Sequence, residues 1–198
     1  MKNGYYCFML QRLVEIVFSR VSLNQQDVQM IEDAFEEITY PKNIIIESEG
    51  KVPKYLYFIV SGYLRLYFYR DGEQVTTHIN CPPGFFTAYA HFVNGTISDE
   101  NVECITDCEL LRISKVKLDQ LMRESEAMKQ FSLKVFQEAT LYNESRSREL
   151  ATLNAEERYL KLMDNYPDMI RHVPLQYIAS FLGMNPKSLS RIRKQLIR

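Results

Sequence analysis

Residues 185–198, NPKSLSRIRKQLIR, contain five basic side chains and no acidic one. Four of the basic residues recur at intervals of three or four positions: Lys187, Arg191, Lys194 and Arg198. An apolar set recurs with the same helical period: Leu189, Ile192 and Leu196. On an α-helix the two sets would form separate stripes, because residues three and four apart share a face. Guanidinium and ammonium groups in a row bind phosphate, so this segment predicts a helix that contacts a polyanion.

The residues before this segment favour a helix-turn-helix. Ala179 is small where two helices would cross closely, and Gly183 can adopt the left-handed conformation that ends the first helix. Asn185 is a preferred N-cap, and Pro186 suits the first position of a second helix. Because this turn chemistry stands directly before a basic stripe, the segment favours DNA binding over a basic helix that is merely solvated.

The predicted DNA contacts divide according to their place on the second helix. Its N-terminal turns would enter a groove and reach base edges through four side chains: Lys187, Ser188, Ser190 and Arg191. Farther along, three basic side chains would neutralise phosphates: Arg193, Lys194 and Arg198. Double-stranded DNA is therefore the predicted partner.

The charge of the chain is divided unevenly. Of its 198 residues, 24 are basic and 25 are acidic, which gives a formal net charge of −1. Residues 158–198 hold 8 of the basic and 2 of the acidic residues, a net of +6, and this leaves −7 for residues 1–157. The asymmetry suggests a C-terminal module that binds phosphate.

The sequence indicates no metal site, disulfide, cofactor or enzymatic activity. Its four cysteines are scattered without metal-ligand spacing: Cys7, Cys81, Cys104 and Cys108. We therefore expect reduced and mostly buried thiols. The three histidines lie far apart and no hydrolase or phosphate-loop motif occurs, which argues against an enzyme. No apolar run is long enough to span a membrane and no signal peptide is recognisable, so a soluble cytoplasmic protein is predicted.

The first part of the chain predicts two helices followed by a β-domain. Apolar residues recur at helical spacing within residues 6–20, and a second helix should run to about Glu37 with Ser22 and Gln25 as its capping box. Residues 40–113 contain short β-branched and aromatic runs separated by Pro or Gly, such as YLYFIV and CELLRI. These runs predict an antiparallel sandwich or roll, with a two-residue hairpin at Asp71-Gly72.

A long helix is predicted next, because no Pro or Gly interrupts residues 115–150. Met128, Val135 and Tyr142 fall seven residues apart, with Phe131 and Ala139 between them, as in a coiled-coil seam. A second apolar set lies elsewhere on the helix: Leu133, Phe136 and Leu141. Two apolar faces imply two partners, most simply the β-domain and a symmetry mate, and we predict that the seam forms the homodimer interface. A helix buried in one core is the alternative.

The order of these parts resembles the Crp/Fnr family of bacterial transcription regulators. EGKVPKYLYFIVSGYLRLYFYRDGEQV is similar to the β-roll of cyclic-nucleotide-binding domains, and NAEERYLKLMDNYPDMIRHVPLQYIASFLGMNPKSLSRIRK to the DNA-binding end of the family, most closely in Bacteroidetes-type members. The resemblance implies an α+β fold with N-terminal helices and an antiparallel β-roll in residues 1–113. A connector with the dimerisation helix would follow in 114–150, and a helix-turn-helix in 151–198.

The same resemblance implies partners. Members of the family are homodimers that bind a two-fold symmetric operator, usually with an effector held against the β-roll, and RNA polymerase is a further partner that the resemblance allows. No residues follow Arg198 to form the two-stranded wing of many members. We therefore expect fewer phosphate contacts and a shallower salt dependence than in a winged relative.

The segment that corresponds to the effector site departs from the family pattern. Cyclic-nucleotide binders carry a cassette that resembles Phe-Gly-Glu, followed by an Arg-Ser/Thr-Ala stretch; its Glu holds the ribose and its Arg the cyclic phosphate. Five residues fall where the cassette begins: Gly84, Phe85, Phe86, Thr87 and Ala88. Thr87-Ala88 replaces Gly-Glu, and SDENVEC supplies no arginine but three acids: Asp99, Glu100 and Glu103. We therefore expect no binding of cyclic AMP or cyclic GMP in the usual mode.

Other kinds of sensor remain as alternatives. An iron–sulfur sensor needs clustered N-terminal cysteines, of which only Cys7 is present, and a haem sensor needs axial ligands, for which only the isolated His78 and His91 are available. The aromatic side chains of the roll would suit an apolar effector pocket but serve equally well as core. The alternative function is a ligand-binding or protein-interaction module whose helix-turn-helix no longer contacts DNA.

Overall fold

The computed structural model describes the backbone of residues 4–196 and the side chains of residues 8–196. The predicted α+β fold is confirmed: two helices precede an antiparallel β-roll, and further helices follow it. α1 spans Gly4–Phe18 and α2 spans Gln25–Ala34. The apolar face of α1 is buried in the core through Leu10, Leu13 and Val17, as its helical spacing predicts.

α2 begins at a capping box formed by Asn24 and Asp27, two residues after the predicted one. The Asn24 side chain accepts the N–H of Asp27 at 2.9 Å, and the Asp27 carboxylate accepts the N–H of Asn24 at 3.0 Å. Asn is as good an N-cap as Ser, and a carboxylate accepts from the N-cap amide more strongly than an amide side chain does. The predicted box of Ser22 and Gln25 is therefore wrong.

Within residues 4–196, eight strands form the β-roll: β1 Glu36–Tyr40, β2 Ile45–Glu47, β3 Tyr55–Ser61, β4 Leu64–Arg70, β5 Glu73–Asn80, β6 Gly84–Phe86, β7 Asn101–Cys104 and β8 Cys108–Ser114. A short helix, α3, spans Tyr89–Asn94 between β6 and β7. The strands pair antiparallel in two sheets with the orders β1-β8-β3-β6 and β2-β7-β4-β5. The predicted antiparallel roll is thus confirmed.

Local turn chemistry identified the β4–β5 hairpin but could not identify β1. Asp71 and Gly72 have φ values of 53° and 83°, the left-handed conformations that a two-residue hairpin requires. Helical spacing predicts α2 up to about Glu37, whereas the chain becomes extended at Phe35 and enters β1. β1 is held by pairing with β8, where Glu36 lies opposite Arg112, and a partner so distant leaves no local pattern.

The long helix predicted over residues 115–150 is divided into two helices. α4 spans Lys115–Glu124 and α5 spans Glu126–Thr152, with the buried Ser125 in an extended conformation between them. The Ser125 hydroxyl donates to the Asp27 carboxylate at 2.6 Å and accepts the N–H of Met128 at 3.1 Å. An N-cap combined with a long-range hydrogen bond therefore ends α4 and starts α5 without Pro or Gly. The predicted long helix is confirmed as α5, which starts later than position 115.

Four helices follow α5 in the described residues: α6 Ala155–Asn165, α7 Pro167–His172, α8 Leu175–Phe181 and α9 Pro186–Leu196. Their buried residues, including Ile178, Ala179 and Leu189, form one apolar cluster with Tyr63 and Ile79 of the roll. The C-terminal helices therefore pack directly on the β-roll. No helix in residues 4–196 is both long and apolar enough to cross a bilayer.

Three cysteines have described side chains, and all three are free thiols: Cys81, Cys104 and Cys108. Cys104 and Cys108 are buried, as expected, while Cys81 is half-buried. Burial raises the pKa of the Cys81 thiol to about 11, so it stays protonated and weakly nucleophilic at neutral pH. The side chain of Cys7 lies outside the described residues.

The break between α4 and α5 yields a stability prediction. Ser125→Ala removes the cap of α5 and the hydroxyl that donates to the buried Asp27 carboxylate, so the free energy of unfolding should fall by about 1–3 kcal/mol. Urea unfolding followed by circular dichroism measures the change. Ser147→Ala, at an exposed position on the same helix, is the control and should change the free energy by less than about 0.5 kcal/mol. Equal unfolding free energies for the two variants would contradict this account.

Candidate nucleic-acid interface and effector pocket

The turn between α8 and α9 is made by the predicted glycine. Gly183 has a φ of 65°, a left-handed conformation that glycine adopts without a Cβ penalty. The N–H of Met184 donates to the carbonyl of Ala179, and the N–H of Gly183 donates to the carbonyl of Ser180, both at 2.9 Å. These two hydrogen bonds form a Schellman motif, which ends α8 and turns the chain into α9.

α9 begins at the Asn-Pro pair, as predicted. The Asn185 side chain accepts the N–H of Lys187 at 2.8 Å, and Pro186 is the first helical residue. Leu189 is fully buried in the cluster that α9 shares with α8 and α6. Leu196, predicted to continue the apolar stripe, is 39% exposed because it lies at the end of the helix, away from that cluster. The first turns of α9 are therefore the firmly anchored ones.

The predicted DNA-contacting residues are mostly exposed along α9. Four are exposed: Lys187, Ser188, Arg191 and Lys194. Ser190 and Arg193 are half-buried, and Arg198 lies outside the described residues. The basic side chains described on α9 are Lys187, Arg191, Arg193 and Lys194. None of them makes an ion pair with an acidic residue in residues 4–196. Their positive charge is thus available to a polyanion.

β6 places the first three predicted effector residues in the wall of the roll. Gly84, Phe85 and Phe86 pair with β3. The Phe85 ring lies 5.2 Å from the ring of Phe58 and 5.9 Å from that of Phe131, which belongs to α5. Aromatic side chains therefore occupy the space between the roll and the helix, and these residues pack as core.

Thr87 and Ala88 are also turned inward. The Thr87 hydroxyl donates to the carbonyl of Tyr55 at 2.9 Å. Thr87 and Ala88 are both buried. A hydroxyl already bonded to the backbone and a methyl group offer a ribose or a cyclic phosphate no charged partner. The five predicted effector residues are consecutive in the roll, and in residues 8–196 no ion pair joins any of them to a Lys or Arg side chain.

Arg65 is the buried arginine of the roll, and it joins the roll to α8. Its guanidinium pairs with the Glu103 carboxylate at 2.6 Å and lies over the rings of Tyr67, at 4.1 Å, and Tyr177, at 3.6 Å. Tyr177 belongs to α8. Glu103 is therefore neutralised, which corrects the expectation that it would repel a phosphate.

Further contacts fix the helix-turn-helix on the roll. The N–H of Thr76 in β5 donates to the Ser180 hydroxyl at 2.8 Å, across 104 positions of sequence. The Tyr63 and His172 rings stack with their centroids 5.6 Å apart. Sequence spacing carries no signal for such pairs, because neither partner belongs to a local pattern.

The predicted dimer seam on α5 is divided between core and surface. Met128 and Phe131 are each only 2% exposed and lie in the core of their own chain, with Val135 packed against them. These residues therefore contact the roll and not a partner chain, which corrects the prediction. Ala139 and Tyr142 are exposed.

The second apolar set on α5 is the exposed one. Leu133, Phe136 and Leu141 are 56%, 50% and 66% exposed, and every residue in 136–145 is exposed. Burial of large apolar side chains is the main favourable contribution to association, so this face is the part of α5 that would gain from a partner.

Among the described side chains, one group has ligand atoms close enough to hold a cation. Atoms of His91, Asp99 and Glu100 lie within 4.8 Å of one another, and His91 Nε2 is 3.4 Å from the Asp99 carboxylate. Exposed acidic groups cluster without an ion in many proteins, so these three residues carry no metal assignment.

Residues 37–125 match the family model of the cyclic nucleotide-binding domain. Solved structures with the same fold include the c-di-GMP responsive global regulator CLP of Xanthomonas campestris, with 18% identity over 87% of this chain and 91% of that chain and a TM-score of 0.66. FixK2 of Bradyrhizobium japonicum shares 20% identity over 82% of this chain and 84% of that chain, with a TM-score of 0.69. A protein assigned to the Crp/Fnr family from Eubacterium rectale shares 16% over 87% and 83%, with a TM-score of 0.65. No curated protein sequence matches the chain.

The packing of β6 predicts that cyclic AMP does not bind in the usual mode. Residues 84–104 contain neither arginine nor lysine, and Thr87 and Ala88 are buried where the ribose ligand would stand. Isothermal titration calorimetry with cyclic AMP up to about 1 mM should show no saturable heat, which corresponds to less than about 4 kcal/mol of binding free energy. A dissociation constant below about 0.1 mM would contradict this prediction.

Proposed function

We propose that this chain, whose fold is that of the Crp/Fnr regulators, is a sequence-specific DNA-binding transcription regulator that acts as a homodimer. The observation that carries the proposal is that α9 is firmly held at its start and exposes unpaired basic side chains. A Schellman turn and an Asn185 cap fix its start, Leu189 anchors it, and its exposed cations have no acidic partner in the described residues. A rigidly held, unpaired basic helix surface fits a DNA groove.

The position along α9 suggests how the contacts divide. Lys187, Ser188, Ser190 and Arg191 lie in the first two turns, where a helix that enters the major groove with its N-terminus reaches base edges. Arg193 and Lys194 lie farther along, where a backbone phosphate is the nearer partner. Base contacts would give sequence preference, and phosphate contacts would give most of the salt-dependent affinity.

Dimerisation would occur through the exposed face of α5. Leu133, Phe136 and Leu141 supply apolar surface there, and Ala139 and Tyr142 of the predicted seam are exposed as well. In a two-fold symmetric dimer the same surface of each chain forms the interface, so one apolar face on α5 is enough for both chains. The two recognition helices would then lie about 34 Å apart, one turn of DNA.

Loss of basic side chains from α9 should weaken DNA binding. Arg191→Ala and Lys187→Ala should each raise the dissociation constant for the operator about tenfold, because a contact to a base edge or phosphate contributes about 1–3 kcal/mol. Fluorescence anisotropy with a duplex from upstream of the gene, at two salt concentrations, measures the effect.

The matched control for these variants is Arg171→Ala. Arg171 is an exposed arginine of α7 in the same helical unit, and it pairs with Asp168 at 3.2 Å instead of standing on α9. Its removal should change the dissociation constant less than about twofold. If wild-type protein fails to bind upstream DNA even at low salt, the DNA-binding proposal is overturned and the interaction-module alternative gains support.

The corrected dimer face gives a second prediction. Phe136→Glu places a charge in the proposed apolar interface, so the dimer dissociation constant should rise at least about tenfold. Sedimentation equilibrium measures it. Val116→Glu, which changes a side chain that is 73% exposed on α4, should leave the dimer intact. Wild-type protein that remains monomeric at micromolar concentration would contradict the proposal.

A further inference from the structure

A crevice of about 180 Å³ lies where α5, α6 and the end of α8 meet. Its lining includes the side chains of Arg146, Arg158 and Lys161. Glu149 is the only acidic residue that lines it in the described part of the chain. The crevice therefore has a net positive lining, and none of its lining residues belongs to α9 or to residues 84–88 of the roll.

The guanidinium groups of the two crevice arginines are held by backbone carbonyls and not by direct carboxylate ion pairs in residues 4–196. Each donates to two backbone carbonyls at 2.6–3.1 Å: Arg146 to Thr77 and Phe181, and Arg158 to Leu153 and Leu182. Neither guanidinium makes an ion pair with a carboxylate in residues 4–196. Burial lowers the pKa of Arg146, but a guanidinium keeps its charge in proteins, and each has five N–H donors of which only some are used.

The remaining charges of the crevice neutralise each other. The Lys161 ammonium lies 2.8 Å from the Glu149 carboxylate, and Glu149 also accepts from the Ser145 hydroxyl. Glu149 also acts electrostatically on Arg146, so one carboxylate faces three cations and the crevice keeps a net positive charge. A half-buried pair of cations is costly without an anion, because burial removes the water that would otherwise stabilise the charge.

We propose that this crevice binds a small phosphate-containing anion between Arg146 and Arg158. Guanidinium groups match the oxygens of phosphate through paired N–H donors. A cavity of about 150 Å³ holds a benzene molecule, so a crevice of this size has room for inorganic phosphate or a small phosphorylated molecule.

A bound phosphate would connect several parts of the chain. Arg146 reaches from α5 to the end of α8 and to β5, and Arg158 reaches from α6 to the α8–α9 turn. An anion held by both would therefore stabilise this placement of the helix-turn-helix on the roll.

Thermal unfolding of the full chain tests the proposal. Inorganic phosphate should raise the melting temperature in a saturable way, compared with chloride at equal ionic strength. The general stabilising effect of phosphate does not saturate and is the same for all variants. Glycerol 3-phosphate is the second probe: tighter binding than phosphate assigns the site to a small phosphorylated molecule, and weaker binding assigns it to free phosphate. No saturable effect of either probe overturns the proposal.

Two conservative variants should act in opposite directions. Glu149→Gln removes the negative charge from the crevice and should tighten phosphate binding about threefold, whereas Lys161→Gln should weaken it about threefold. The controls are Glu126→Gln and Lys129→Gln, which change a surface ion pair of 3.6 Å near the other end of α5 and should leave phosphate binding unchanged. A merely structural role would not give opposite signs, so equal effects of the two crevice variants overturn the proposal.

The recognition helix is the other basic surface that phosphate could occupy. Arg191→Ala should keep the saturable stabilisation, because Arg191 does not line the crevice. If this variant abolishes it, phosphate binds α9 and the crevice proposal fails. The assay contains no DNA, so its failure leaves the proposed DNA binding untouched.

Discussion

The buried charge of Arg65 is the constraint on which the arrangement of the two halves depends. Arg65 is the largest fully buried side chain among the described residues, and its guanidinium pairs with Glu103 and lies between the rings of Tyr67 and Tyr177. A buried charge is tolerated only where partners surround it, and removing one partner of such a pair costs about 3–5 kcal/mol. Since Tyr177 belongs to α8, the enclosure of Arg65 is complete only when the helix-turn-helix rests on the roll.

This docking determines which surfaces remain for partners. α8 faces the roll through Tyr177 and Ser180, so α9 presents its cations outward instead of toward the protein. On the other side, α5 buries Met128 and Phe131 in the roll and leaves its opposite face exposed. One side of α9 and one side of α5 are thus packed within the chain. The exposed side of α9 is basic, which suits DNA, and the exposed side of α5 is apolar, which suits a second copy of the chain.

The sequence predicted features that depend on neighbouring residues and missed those that depend on distant ones. Gly183 and Asn185 act through backbone hydrogen bonds within five residues, so their residue types alone indicated the turn and the start of α9. Ser125 looks like an ordinary helical position until Asp27, 98 positions away, accepts its hydroxyl. The same reason explains why the predicted dimer face of α5 was partly buried and the other apolar face exposed. Helical spacing shows that two apolar faces exist but not which one packs on the roll.

The central claim is that a dimer reads DNA through α9, and selection from a random duplex library tests it most directly. The account predicts an enriched motif with two-fold symmetry, whose half-site centres lie about 10 bp apart, because the recognition helices of a dimer meet the groove one helical turn apart. The enrichment should disappear when Lys187 and Arg191 are both replaced by alanine. A library with no enriched motif, or an enriched motif that persists in the double variant, would contradict the account.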